Sequence, residues 1–424
     1  MHKLHRLKQL VDDNGSSPND RNAAHDDLGT EWPTALRGVA RRGRGAEAVG
    51  VRTLFSILLS CLFSAWLTGC DLTVADQGQA TPSDPPAPPA EDTVPPDFER
   101  PPPEGRGIWI SHEEIHQLRM SGPAWQALLE QANAPTGAPN VSDQNQDNNV
   151  EVLAKALVYV RTGDERYRTE VRANCMAAID TELGGRTLAL GRELLAYVVS
   201  ADLVGLEANE HNAFSAWLQR TLVETLDGRT LQSTHEERPN NWGTHAGASR
   251  VAAAVYLDDR TELARCAQVF KGWLGDRSAY AGFDYGDLSW QADPSHPVGV
   301  NPAGATRQGY SIDGAIPDDM RRGCSFQMPP CPTGYPWEAL QGAVAQAEIL
   351  YRQGYDAWEW QDRALLRAVQ FLYNIDQQYG GWWAGGDDEW QVWLVNTAYG
   401  SSFPAETPAS AGKNMGWTDW THHR

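Results

Sequence analysis

"RTLALGRELLAYVVSADLVGL" (186–206), followed after a short break by "EHNAFSAWLQRTLVETL" (210–226), decides the fold. Both runs are too long for strands, and their apolar residues recur at helical rather than alternate spacing. Helices joined by so short a connection lie antiparallel, side by side.

The same pattern extends in both directions. "SGPAWQALLEQA" (121–132) opens with Ser121 and Pro123, and "NVEVLAKALVYVR" (149–161) breaks at "TGDERY". Downstream come "GASRVAAAVYLDD" (247–259), "RTELARCAQVFKGWL" (260–274), "YPWEALQGAVAQAEILYRQG" (335–354) and "WQDRALLRAVQFLYNI" (360–375). Strict repeats are absent and strand alternation is scarce, which points to an all-α ring of helix hairpins rather than a regular solenoid. Residues 275–334 are the exception. They are rich in Gly, Pro, Asp and Tyr, and their aromatics (Tyr280, Phe283, Tyr285, Trp290, Tyr310, Phe326) suit an ordered loop lining a cleft.

Of the 424 residues, the first hundred carry no core pattern, so the chain divides into 1–70, 71–107 and a single helical domain at 108–424. That domain is expected to act as a monomer. The formal charge of -20 argues against nucleic acid as a partner, because phosphate binding needs a basic face.

Arg41, Arg42, Arg44 and Arg52 precede "LFSILLSCLFSAWL" (54–67), an apolar run short for a membrane span and suited to a signal-peptide core. It ends in "LTGC" (67–70), which resembles the bacterial lipobox. That resemblance implies that Cys70 is lipidated and anchors the protein to a membrane of the cell envelope. The prolines of 80–107 favour an extended spacer. In such an oxidising compartment Cys324 and Cys331, bracketing "CSFQMPPC", are the better disulfide candidates; Cys175 and Cys266 remain.

Two stretches carry candidate chemistry. In "ERPNNWGTHAGASR" (237–250), Pro239 suits a first helical position, and Asn240 or Asn241 suits a cap. Gly243 and Gly247 weaken a helix, so something is expected to approach its backbone closely. His245 lies one turn after Asn241 on the same face. In "DGAIPDDMRRG" (313–323), Arg321 and Arg322 precede the cysteine loop, and Tyr335 then opens a helix beside Pro336. A helix N-terminus and a nearby arginine would lower a phenol pKa from its reference of about 10.

These stretches resemble the alginate lyase family, through "NNWGTH" and through "DGAIPDDMRRG" with "YPWEALQGAVAQAEIL". The resemblance implies an α/α toroid that cleaves an acidic polysaccharide at a 4-linked uronate by β-elimination, without a cofactor or metal. It implies that Asn241 and Arg322 neutralise the uronate carboxylate and that Tyr335, with or without His245, moves the protons. Asn240, Trp242, Arg321 and Tyr310 are the accompanying substrate-binding candidates. Trp242 stands where the family commonly has histidine, and the interval from Arg322 to Tyr335 is longer than the family's.

The chemistry asks for these types. Removing the C5 proton beside a carboxylate builds up negative charge, which must be met by preorganised donors. A single tyrosine can serve as base and acid if proton and leaving group share a face; otherwise His245 is the base. Seventeen tryptophans, several in "GGWWAGGDDEWQVWLVNTAYG" (380–400) and "GWTDW" (416–420), are candidates for sugar stacking. Two alternatives remain. A glycoside hydrolase would use carboxyls among Asp318, Asp319, Asp387, Asp388 and Glu389. A non-catalytic glycan-binding lipoprotein would keep the cleft alone. His245, His296, His422 and His423 show no ligand-type spacing for a metal.

Overall fold

A computed structural model of the chain describes residues 105–423. The signal-like segment, Cys70 and the Pro-rich stretch to residue 104 lie outside the described residues.

The described chain is all-α apart from one short hairpin. Its helices are α1 (His112–Gln117), α2 (Pro123–Asn133), α3 (Asn148–Thr162), α4 (Glu165–Ala178), α5 (Thr187–Val204), α6 (Ala208–Val223), α7 (Leu231–Glu237), α8 (Asn241–Tyr256) and α9 (Arg260–Trp273). The hairpin β1 (Thr306–Arg307) and β2 (Tyr310–Ser311) follows, then α10 (Pro317–Met320), α11 (Tyr335–Arg352), α12 (Trp360–Tyr379), α13 (Glu389–Tyr399) and α14 (Thr418–Thr421).

Two kinds of helix build two layers. Every residue of α5 except Asp202 is buried, and α3, α8 and α11 are buried almost all round. Helices apolar on all sides must be covered on all sides. They pack successively as α3, α5, α8 and α11 to form the inner wall. The outer helices bury only a stripe, as α9 does with Leu263, Ala267, Phe270 and Trp273. Truncating a fully buried inner residue such as Leu194 to Ala is expected to cost about 2–5 kcal/mol.

The inner wall closes on glycine. A Cβ at Gly191 of α5 would stand 2.8 Å from the Ala246 backbone nitrogen, and one at Gly342 of α11 would stand 2.2 Å from the Thr244 carbonyl carbon. Helix α8 is therefore gripped on both sides at backbone contact.

The inner helices point the same way. At one end Asn149 Nδ2 of α3 donates to the Lys413 carbonyl (2.8 Å), Arg192 of α5 pairs with Glu338 of α11, and His245 of α8 lies beside the same Glu338. Asn149, Arg192, His245 and Glu338 all lie in the first two turns of their helices. At the other end Asp202, Tyr256 and Gln353 line a cavity of about 670 Å³, where the chain enters along Gly105–Ile108.

The helix hairpins read from the sequence are present, with three adjustments. Residues 105–107 belong to the domain rather than to the spacer, because Arg352 Nε donates to the Arg106 carbonyl (2.7 Å) and Gln353 to that of Gly107 (3.3 Å). The break at "TGDERY" is brief: Asp164 caps α4 by accepting from the Arg166 N–H, and the helix restarts at once. The Trp-rich stretch at 380–400 folds largely as α13. Its Trp382 and Trp390, with Trp417 and Trp420, are core residues, leaving Trp383 and Trp393 partly exposed. Cys175 and Cys266 are free and buried, and burial pushes both thiols up.

Candidate active site

Helix α8 begins two residues later than the position of Pro239 suggests. Asn240 is its N-cap, accepting from the Trp242 N–H at 3.2 Å, and Pro239 stands before the cap, its carbonyl taking the Trp273 indole N–H at 2.7 Å. The amide oxygen of Asn240 is thus spent on the helix, which weakens its assignment to substrate. Asn241 is the first helical residue, and its N–H donates to Asp319 Oδ1 at 3.1 Å. What approaches the two glycines is the protein itself. A Cβ at Gly243 would stand 1.8 Å from the Arg238 carbonyl oxygen, and one at Gly247 would stand 2.5 Å from Gln346 Oε1.

Helix α11 starts at Tyr335, with Gly334 as a cap that contributes no side chain and Pro336 in the first turn, where its missing N–H costs nothing. Tyr335 is half-buried. The guanidinium carbon of Arg322 sits 4.0 Å from the centre of its ring, a cation–π contact. The expected disulfide joins Cys324 to Cys331 and draws together the loop between these two residues. That loop is held down in turn: Trp290 Nε1 donates to the Cys324 carbonyl (2.9 Å) and Ser325 Oγ to Asp287 (2.6 Å). Arg321 turns away from its neighbour to pair with Asp318 at 2.8 Å.

Asp319 ties the two stretches together. Its Oδ1 holds the Asn241 N–H, while its Oδ2 is buried without a hydrogen bond. Burial and the neighbouring Asp318 push its carboxyl well above the usual range.

One turn into α11, Glu338 gathers the cations. It pairs with Arg192 and with Lys413 Nζ (2.7 Å), and Lys413 also reaches Asp387 at 3.4 Å. Burial opposes ionisation of Glu338, but Arg192, His245 and Lys413 outweigh it and hold the carboxyl well below its usual range. His245 Nε2 lies 3.7 Å from Glu338 Oε2, beyond hydrogen-bond length, and neither ring nitrogen has a hydrogen-bond partner. Burial pulls its pKa down to about 4, so the imidazole is neutral at physiological pH.

Asp319 thus links Asn241 to the Arg322–Tyr335 stack, its Oδ1 taking the Asn241 N–H and its carbonyl the Arg322 N–H at 3.2 Å, and these residues lie at two depths. In the first turns of α8 and α11 only Trp242, Tyr335 and Glu338 escape full burial, so these are the side chains that reach the surface there. Asn241 (1% exposed) and His245 (0%) form a layer beneath it. His245 is thus not placed to touch a sugar directly, contrary to its expected catalytic role. Tyr310 is separate: it lies exposed on the β1–β2 hairpin, whose loop is fixed to α12 by the Asp313–Arg367 pair at 2.7 Å.

Sequence reasoning missed Glu338, Arg192, Lys413 and Arg238. Glu338 had a signal, being three residues after Tyr335 and so on the same helix face. Arg192 and Lys413 had none, since only the ring closure brings them to α11. Among the described residues no group of three or more His, Cys, Asp or Glu is placed to hold a metal ion.

Residues 151–282 match the family model described as Alginate lyase. The match spans less than half of the chain, contains Asn241 and His245, and stops short of Arg322 and Tyr335. No curated protein matches the chain. Through this match, which covers inner helices α5 and α8 and the hairpins around them, that part of the chain is alginate lyase-like.

Proposed function

We propose that the domain cleaves a 4-linked uronate polysaccharide by β-elimination, with Tyr335 as both base and acid and Arg322 as the principal carboxylate neutraliser. The observation that carries this reading is the Arg322–Tyr335 stack, joined to Asn241 through Asp319. Arg322 approaches the ring face and leaves the phenol oxygen and its own N–H edge for substrate. As the C5 proton leaves, charge moves onto the uronate carboxylate, where a guanidinium in a water-poor cleft stabilises it far more than in solution. Tyr335 takes that proton and returns one to the departing 4-oxygen, leaving a C4–C5 double bond. The burial of His245 favours this one-residue route over a histidine base on the opposite face. Asn241 and His245, whose amide oxygen and ring nitrogens lack hydrogen bonds, support the wall from beneath.

The test is the ultraviolet absorbance of the unsaturated product, using the folded domain from Gly105 with polymannuronate, polyguluronate, glucuronan and hyaluronan separately. Absorbance rising on at least one polymer and abolished by Tyr335→Phe supports the reading. New reducing ends without absorbance would replace it with hydrolysis.

We propose further that Cys70 is lipidated and holds the domain in the cell envelope. Detergent partitioning of full-length protein, lost in Cys70→Ser, would support this; unchanged partitioning would refute it.

A further inference from the structure

The cavity at the end of the inner wall away from Tyr335 has no part in the reaction above. Its volume, about 670 Å³, is in the range of small-molecule sites. One wall is the entering chain at Gly105–Ile108; the others are the α5–α6 corner, the α8–α9 corner and Gln353, just past the end of α11. Gly205 turns the α5–α6 corner at φ 61°, and a Cβ there would meet none of the described atoms within 4 Å, so space is left free.

The polar side chains of this cavity are each fixed by one edge. Asp202 Oδ2 accepts the Ile108 N–H at 3.2 Å, and Gln353 Nε2 donates to the Gly107 carbonyl at 3.3 Å. His211 Nδ1 lies 3.0 Å from the Tyr256 hydroxyl, with the two ring centres 5.3 Å apart. These contacts orient Asp202 Oδ1, Gln353 Oε1 and His211 Nε2, none of which has a hydrogen-bond partner among the described residues. Polar groups held in place yet unspent suit a ligand that supplies the missing partners.

The charges on this wall limit what that ligand is. Arg260 is taken by Asp258 at 2.8 Å, and Arg106 lies over the Tyr351 ring at 5.5 Å. Burial pushes the Asp202 carboxyl up, against the pull of the Ile108 N–H, His112 and Arg352. A carboxylate or phosphate would meet Asp202 with Arg260 already paired, and a purely apolar ligand would strand the three polar atoms. An uncharged sugar fits both conditions: its adjacent hydroxyls donate to the two acceptor oxygens, a further oxygen meets the imidazole, and its C–H face lies on the half-buried Tyr256.

We propose that this cavity binds an uncharged sugar, oriented by Asp202, Gln353 and His211 against the Tyr256 ring. The domain thus has a glycan site separate from the cleft, at the far ends of the helices whose first turns carry Asn241 and Tyr335. It does not rest on the elimination chemistry.

The test uses the full chain, in a detergent without a sugar headgroup, and reads binding by ligand-observed NMR and calorimetry. The probes are maltotriose, mannotriose and galactotriose, with trimannuronate and triguluronate as acidic counterparts. At least one neutral trisaccharide is expected to bind at roughly millimolar concentration and to stay bound when a triuronate is added. Its affinity stays within about twofold in Tyr335→Phe, a distant site. Asp202→Asn keeps an acceptor for the Ile108 N–H but removes the free one, and weakens this binding by about tenfold or more. His211→Ala, at an exposed position, weakens it by about threefold and carries the test alone if thermal unfolding shows the Asp202 variant to be unfolded. No binding of any neutral probe, unchanged affinity in His211→Ala or in a folded Asp202→Asn, or displacement by a triuronate would each overturn the proposal.

Discussion

Arg322 lies over the face of the Tyr335 ring at 4.0 Å and not against its oxygen. A guanidinium so placed fixes the ring without occupying the hydroxyl, and it is itself held in turn. In the proposed reaction positioning and proton transfer would then fall to two different side chains, one on either side of the Cys324–Cys331 loop.

Tyr335→Phe keeps the ring and the stack and removes the proton carrier. Turnover is expected to fall by roughly 10²–10⁴, the usual contribution of a positioned acid–base group, with little change in melting temperature. Turnover within tenfold of wild type would exclude Tyr335 as the proton carrier.

Arg322→Lys keeps a positive charge but loses the flat stacking surface and the fork. Its kcat is expected to fall by about tenfold or more, and Arg322→Ala by about 10²–10³, as when one oxyanion donor is removed. Equal rates for the two variants would mean that charge contributes nothing and stacking everything.

Cys324→Ser with Cys331→Ser frees the loop between the two halves of the site. Misplacing a catalytic group by about 1 Å can cost about a hundredfold, so the double variant is expected to lose more kcat than stability. A large drop in melting temperature with unchanged kcat would show that the disulfide serves the fold and not the cleft.

Stability should report on His245. Its folded pKa, about 4, is below the unfolded value of about 6.5, so across that window the unfolded chain binds the extra proton. Its contribution is complete above about pH 6.5 and is lost as pH falls toward 4, amounting to something on the order of 3 kcal/mol. Denaturant unfolding of wild type and His245→Asn over pH 4–7 should show the shallower slope in the variant. Parallel curves would mean that His245 is not buried neutral.

Gly342→Ala tests the grip on α8, because its Cβ would stand 2.2 Å from the Thr244 carbonyl carbon. Overpacking of this kind costs about 1–3 kcal/mol or more. Stability equal to wild type would mean that α8 and α11 pack less closely than described.

The helices were legible because burial on one or all faces leaves a periodic trace, as in Leu190, Leu194 and Tyr197 of α5. Helix α4 escaped because polar residues dominate "ERYRTEVRANCMAA" and its apolar stripe is thin. In the candidate site, the places of Asn241 and Tyr335 at helix starts were legible because Asn and Pro mark those boundaries. The depth of His245 was not, since spacing along one helix shows a shared face but not what covers it; here α11 does so, through Glu338. Tyr310 lies exposed on a hairpin followed by the Asp313–Arg367 pair to α12, a contact that composition alone does not reveal.

The inner helices α3, α5, α8 and α11 all turn their N-terminal ends toward Glu338 and Lys413. Each such end carries roughly half a positive charge from its aligned peptide groups. That part of the local potential belongs to the main chain, so no substitution deletes it and no pH titrates it. A descendant of this sequence could lose its tyrosine and both cleft arginines and still prefer an acidic sugar to a neutral one, with the polarity of the wall outlasting the reaction it serves.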